Sequence, residues 1–257
     1  MFKKKKWKQL FKNHQLNKFN DLWNKKYEWF EAPNEGKYKD SWSGVSKITI
    51  GESNFFLKKQ HNYRKPSIFH PLGENLAKKE FKNIKLFNKL GIPALNSIYF
   101  KKKKINGKEC AILITKSLKK YKSLSDLYEL NENNPLNLNI RRKVLFHSAE
   151  LIKLAHDKKV KIQSLYPKHV FIHQKVFLKG ELPKSAPPAR FIDLERAKRV
   201  INPKNAALRD LETFNRRSKK ASKSDRLYFL LVYLGEDKVN ERVRKFIQLI
   251  EQNSKTK

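Results

Sequence analysis

Along the chain, apolar residues first fall in groups at steps of three and four: Trp7, Leu10 and Phe11, then Phe19, Leu22 and Trp23, then Tyr27 and Phe30. That spacing predicts an amphipathic helix with lysines on its other face, and Pro33 and Gly36 end it. The period then shortens. Lys47-Ile48-Thr49-Ile50 and Phe55-Phe56-Leu57-Lys58-Lys59-Gln60 flank the turn residues Gly51-Glu52-Ser53-Asn54 and predict a β-hairpin. Leu76, Ile84, Phe87 and Leu90 restore the helical stripe, which Gly91-Ile92-Pro93 stops. Strands are expected at 97–100 and 111–115, with Lys101 to Lys104 as a solvated strand end. Downstream the pattern predicts helices over 124–130, 140–156, 207–214, 224–233 and 238–250. Short strands are expected at 170–172, 176–178 and Phe191-Ile192. A small β-rich half with one helix, followed by a mostly helical half, is an α+β plan in two lobes.

Polar residues that interrupt the apolar pattern mark the candidate chemistry. Glu80 lies four residues from both Leu76 and Ile84, so it points along the apolar face of its helix. A buried carboxylate is costly without a partner, so a cation is expected beside it. His169 enters the run Val170-Phe171-Ile172, and Asp193 leaves Phe191-Ile192. Two such strand ends side by side would aim an imidazole and a carboxylate at one cleft, a metal or phosphate site. Ser43-Gly44-Val45-Ser46 could wrap a phosphate with backbone N–H groups, and Lys58 sits on a strand. Taken in order, these are the parts of a protein-kinase-like phosphotransferase: phosphates clamped by a lysine, the lysine held by a glutamate, and metal held by a carboxylate and a second ligand.

Composition narrows the setting. Lys+Arg 59 against Asp+Glu 24 gives a formal charge of +35 over 257 residues. With 39% hydrophobic residues, 17 Phe and 9 Tyr, the chain can still build a core and is no disordered polycation. The charge predicts an anionic partner: nucleic acid, a phosphorylated small molecule or an anionic membrane surface. A single cysteine, Cys110, excludes an intramolecular disulfide and suits a reducing cytoplasm. The N-terminus lacks the apolar core of a signal peptide, and the apolar run around 227–234 is too short to span a bilayer. The aromatic and lysine faces of residues 1–30 suit either packing on the domain behind or an anionic headgroup layer.

At these residues the chain resembles the Kdo/WaaP lipopolysaccharide kinase family, and within it the InaA-like branch. The pieces that carry the resemblance are Trp42-Ser43-Gly44-Val45-Ser46, Phe56-Leu57-Lys58-Lys59-Gln60, Lys79-Glu80, Lys89-Leu90-Gly91-Ile92-Pro93, Leu165-Tyr166-Pro167-Lys168-His169 and Phe191-Ile192-Asp193-Leu194-Glu195. Arg209-Asp210-Leu211 and Asp225-Arg226-Leu227 also fit.

The resemblance implies a bilobal protein-kinase-like fold, with a basic helical extension over 1–35, an N-lobe over 36–116 and a C-lobe over 117–257. It implies ATP-dependent phosphorylation of an inner-core sugar, Kdo or heptose, on a lipopolysaccharide precursor at the inner-membrane surface. Ser43, Gly44, Lys58 and Glu80 then bind nucleotide, with Lys58 or its neighbour Lys59 as the clamp. Asp193 and His169 hold Mg²⁺, or Mn²⁺, which suits an imidazole ligand better. One departure stands out: the catalytic base, an aspartate five residues before the metal ligand, is Ser164 here. General-base loss costs about 10²–10⁴-fold, so a pseudokinase that binds nucleotide is a second reading. A nucleic-acid-binding protein that reads charge alone is a third, without zinc spacing or an RNA-binding aromatic signature to support it.

Overall fold

Alternation along one strand explains most of the first half of the molecule. The structure, a computed structural model that describes residues 2–67, 70–133 and 136–255, divides into Met1–Lys85 with Leu95–Lys119 and Leu86–Ala94 with Lys120–Lys257. In the first unit come α1 (Phe2–Asn13), α2 (Phe19–Asn24), β1 (Trp29–Glu35), β2 (Trp42–Ile50), β3 (Ser53–His61), β4 (Arg64–Ser67), β5 (His70–Asn75), α3 (Leu76–Lys89), β6 (Ser97–Ile105) and β7 (Lys108–Lys116). Five of these strands form an antiparallel sheet in the order β1-β2-β3-β7-β6.

Successive side chains on a strand point to opposite faces. Phe55 and Leu57 therefore join Ile48, Ile50, Cys110, Ile112 and Ile114 on one face, and Phe11, Leu16, Phe19 and Leu22 of the N-terminal segment cover them. Trp7 and Phe11 each meet Phe55 edge-on, at 5.5 and 5.4 Å between ring centroids. Each such buried aromatic or branched side chain contributes about 1.5–3 kcal/mol. The aromatic face of the extension is thus occupied by the sheet. The side chains of Lys3 to Lys6 lie outside the described residues.

Four regions differ from expectation. The single helix over 7–30 is two helices and a strand: Gln15 takes φ +54° and closes α1, and the Lys18 N–H donates to Asp21 Oδ2 at 3.0 Å to open α2. Then Trp29–Glu35 runs as an edge strand, exposed throughout, the one kind of strand that tolerates Pro33. The hairpin of β4 and β5 carries no alternation that announces it. The run expected as a strand at 176–178 belongs to the short helix α6, capped at its start by His173 Nδ1 and ended by Gly180 in the left-handed conformation. Lys101 to Lys104 lie inside β6, the other sheet edge, where lysines discourage pairing with another chain.

The second unit contains β8 (Tyr121–Ser123), α4 (Leu124–Asn133), α5 (Leu138–Asp157), β9 (Val160–Lys161), a 3-10 turn (Pro167–His169), β10 (Val170–His173), α6 (Gln174–Lys179), β11 (Ala189–Phe191), β12 (Lys198–Arg199), α7 (Pro203–Arg217), α8 (Lys223–Leu234) and α9 (Glu241–Lys255). Side-chain caps from Asn137, Asn202 and Ser222 start α5, α7 and α8. Buried residues of α5, among them Val144, Leu145, Ala149, Ile152 and Ala155, make the helical core. The three-stranded sheet β11-β10-β8 carries the loop ends discussed next.

Candidate active site

Glu80 has the cationic partner its position demanded. Lys58 Nζ donates to Glu80 Oε2 at 2.6 Å, joining β3 to α3 within the first unit, and Glu80 is 4% exposed. The helix is aimed by its N-terminal contacts: Gln60, wholly buried, accepts from the Ala77 N–H at 2.8 Å and donates to Ser43 Oγ at 3.1 Å. Asn75 Oδ1 caps the next free amide, that of Lys78, at 2.9 Å.

Strand parity separates the two neighbouring lysines. Lys59 points to the opposite face, where Nζ donates to the carbonyls of Trp23 and Lys25 at 2.8 and 2.9 Å and stands 5.4 Å from the Tyr27 ring centre. It therefore staples the end of α2 to the sheet. Burial there lowers the Lys59 ammonium to a pKa of about 8.

Ser43 and Gly44 do not form a turn. They lie in β2, paired with Gln60 and Lys59 of β3 on one side, while Ser43 pairs with Asn34 of β1 on the other. A Cβ at Gly44 would come within 2.7 Å of the Trp29 ring, so the glycine admits an aromatic side chain. The turn between the first two strands comes earlier, at 36–41. It is closed by Gly36 N–H to Ser41 O at 2.8 Å and Ser41 N–H to Tyr38 O at 3.0 Å. It borders a cavity of about 660 Å³ with Lys37, Lys39 and Asp40 among its walls. A side chain at Gly36 would strike Tyr63 at 2.8 Å. Gly36 flanked by Lys37 and Lys39 was the available sequence signal for it.

In the second unit β10 and β11 run side by side, Val170 opposite Phe191. The Ile192 N–H donates to the His169 carbonyl at 3.0 Å. His169 Nε2 thereby faces Asp193 Oδ2 at 3.3 Å. A carbonyl oxygen only accepts, so the 2.9 Å contact of His169 Nδ1 with Ser164 O puts the ring hydrogen on Nδ1 and leaves Nε2 turned to Asp193. Asp193 adopts φ +52°, a conformation that side chains other than glycine hold where the surroundings impose it. Its Oδ1 is buried and has no hydrogen-bond partner among the described residues. An imidazole nitrogen and a carboxylate with one unsatisfied buried oxygen fit a divalent cation that completes its shell with water and phosphate oxygens. Among the described residues no third His, Cys, Asp or Glu joins them.

Ser164, at the position of the base, is 5% exposed. Its carbonyl orients His169, while Gln163 and Lys168 of the same loop are exposed. A carboxylate without an assigned role in the sequence reading fixes this loop. Asp210 on α7, 1% exposed, accepts from the backbone N–H groups of Ile162 and Gln163 at 2.6 and 2.9 Å and meets His156 Nε2 at 3.3 Å. Tyr233 Oη lies 2.9 Å from His156 Nδ1, and burial pushes its phenol pKa up, which keeps it a donor. Asp210 shares the buried face of α7 with Ala206, Ala207, Leu211 and Phe214, the same signal that exposed Glu80.

A strand lysine held by a helix glutamate in a five-stranded antiparallel unit, with strand-end His and Asp in a helical one, defines a protein-kinase-like α+β fold. The solved structure of WaaP in complex with acyl carrier protein shares that fold, with a TM-score of 0.64 over 93% of this chain and 91% of that one, at 15% identity. The chain belongs to the lipopolysaccharide kinase (Kdo/WaaP) family, whose model matches residues 20–233. Protein InaA of Escherichia coli (strain K12) is 22% identical over 207 residues, 80% of this chain and 91% of InaA. Membership makes the chain kin to phosphotransferases. No helix of the described residues is long and apolar enough to cross a membrane.

Proposed function

We propose that the protein transfers the γ-phosphoryl group of ATP to a hydroxyl of an inner-core sugar, Kdo or heptose, on a lipid A-core precursor of lipopolysaccharide. The observation that carries this reading is the Lys58–Glu80 ion pair at 2.6 Å, placed on strand and helix as a phosphate-clamping lysine is. In this reading Glu80 holds Lys58 Nζ toward the phosphates, and the turn at 36–41, with Lys37 and Lys39, covers them in place of Ser43 and Gly44. Asp193 and His169 Nε2 would hold Mg²⁺ or Mn²⁺; such an ion, when bound, neutralises phosphate charge.

The acceptor oxygen forms a bond to phosphorus as the bond from phosphorus to the bridging oxygen breaks, and ADP departs. The acceptor proton leaves late in so loose a transition state, passing to solvent water or to an oxygen of the transferred phosphoryl group, which limits the loss from Ser164. The basic surface suits an anionic lipid layer, each nearby Lys or Arg adding about 1 kcal/mol of attraction.

Thermal shift with ATP and Mg²⁺ or Mn²⁺ tests the reading, since a ligand at about a hundred times its Kd stabilises by ~2.7 kcal/mol. No shift with either metal at millimolar ATP would overturn it. The buried, backbone-engaged Ser164 favours a second reading, a pseudokinase. That reading predicts nucleotide binding without phosphate transfer to purified lipopolysaccharide core.

A further inference from the structure

The two faces of the five-stranded sheet treat their aromatic side chains differently. On the face covered by the N-terminal segment, Phe11, Phe19 and Phe55 are at most 5% exposed. On the face that carries Lys58, α3 reaches β3 at the Lys58–Glu80 pair and β6 where Phe81 stacks on Phe100, 4.8 Å between ring centroids. Toward β1 the same face stays open. Phe56 is half-buried there, and Phe30 of the edge strand is 61% exposed. Their rings meet edge-on at 5.3 Å between centroids. Thr115 lies opposite Phe56 and Val45 opposite Lys58, and both are half-buried. An open apolar floor thus adjoins the one lysine of this face that a buried glutamate holds.

Strand geometry says what that floor can take. Phe56 and Lys58 point the same way, two residues and about 6.6 Å apart along β3. A ribose separates a nucleobase from its first phosphate by a distance of that order. The turn at 36–41 lies past the other end of the strand pair, where Trp42 is paired with His61. Phosphates held by Lys58 and covered by that turn therefore leave the base on the Phe56 side. A phenylalanine ring offers a π face and no hydrogen-bonding group, so it accepts a flat aromatic ring by stacking and accepts any base. We infer that Phe56, with Phe30 edge-on beside it, is the platform on which the nucleobase of the phosphoryl donor stacks. The inference rests on the phosphotransferase reading and adds to it the residues that hold the base. It also sets their selectivity: stacking on phenylalanine does not distinguish adenine from guanine.

Calorimetry and proton NMR of the full chain with the Mg²⁺ complexes of ATP, GTP and tripolyphosphate test it. A base lying on an aromatic ring is shielded by it, so the H2 and H8 resonances of ATP should move upfield on binding. ATP and GTP should bind within about threefold of each other, and both about tenfold or more tightly than tripolyphosphate. Phe56→Leu keeps the apolar bulk and removes the ring. It should lose the upfield shift and weaken ATP by about tenfold, with tripolyphosphate affinity unchanged. Phe56→Trp should keep both the shift and the affinity. Phe30→Ala, at an exposed position, should weaken ATP by about threefold; it carries the same test if Phe56→Leu fails to fold by circular dichroism. ATP affinity unchanged in Phe56→Leu overturns the inference, as do upfield shifts confined to the ribose protons or ATP binding no tighter than tripolyphosphate. So does a Phe56→Leu variant that folds yet loses tripolyphosphate as well, because the ring would then serve the phosphate site. Each of these leaves the phosphotransferase reading in place. Binding of neither ATP nor tripolyphosphate by the unaltered protein overturns that reading and the platform with it.

Discussion

The two candidate clusters, one in each unit, are built on opposite principles. Lys58 and Glu80 satisfy one another at 2.6 Å, on a strand and a helix fixed by Gln60 and Asn75. Asp193, by contrast, is held at φ +52° with a buried oxygen that has no partner among the described residues. The first cluster pairs opposite charges within the protein; the second leaves a buried carboxylate oxygen without a hydrogen bond. A clamp can be preformed because its charge is balanced within the protein, whereas a cation site has to retain unbalanced negative charge.

The comparison predicts different failures on each side. Asp193→Ala should have the largest functional effect, cutting phosphate transfer by about 10²-fold or more and abolishing any metal dependence of the nucleotide thermal shift. A variant whose metal-dependent shift persists would show that the second cluster is not a cation site. Removing a partner from the first cluster should hurt folding as well as binding. Lys58→Met removes the 2.6 Å ion pair to Glu80, which is 4% exposed, and should cost roughly 2–3 kcal/mol, below the range for fully buried pairs because Lys58 is partly exposed. Urea unfolding together with the ATP response measures both.

Lys59 sharpens the contrast by one residue. Lys59→Met should keep the ATP response and change stability by within about 1 kcal/mol, because the lost bonds to Trp23 and Lys25 are offset by no longer burying a charge. The native lysine also has a pH signature. Its folded-state pKa lies at about 8, below the unfolded value near ~10.4, so between them the unfolded chain binds more protons. Stability from this group is absent below pH of about 8 and grows as pH rises toward the unfolded value. The melting temperature of the unaltered protein should therefore rise relative to Lys59→Met across that window; a flat difference would place Lys59 in water. The smallest effect is expected at Ser164→Ala, with transfer within about twofold of the unaltered protein, since His169 uses the backbone carbonyl there.

What could be read in advance followed from periodicity plus burial cost. Glu80 and the strand-end His169 and Asp193 were legible because each interrupts an apolar run, and a polar group there needs a partner. Most downstream helices were legible for the same reason. Residues 29–35 were not, because an edge strand exposed on both faces leaves no alternation. Helix α6 was misread because Val176-Phe177-Leu178 favour strand locally, while His173 and Gly180 cap a single short helix around them. Lys58 and Lys59 could not be told apart by composition. Register with Val45 and Gly44 decides between them, and register is a property of the folded sheet. A turn that could wrap a phosphate was expected at Ser43-Gly44 because serine and glycine suggest a loop, yet both lie in β2 and Gly44 serves the approach of Trp29.

Helices α1 and α2 leave the ribosome before β7, so the apolar surface they need is not complete until Ile112 and Ile114 have been made. Phe11, Leu16, Phe19 and Leu22 must wait through about a hundred residues of synthesis without their final partners. Like-charge repulsion among the lysines interleaved with them opposes association of such an exposed segment, and the need for it ends once β7 pairs with β3.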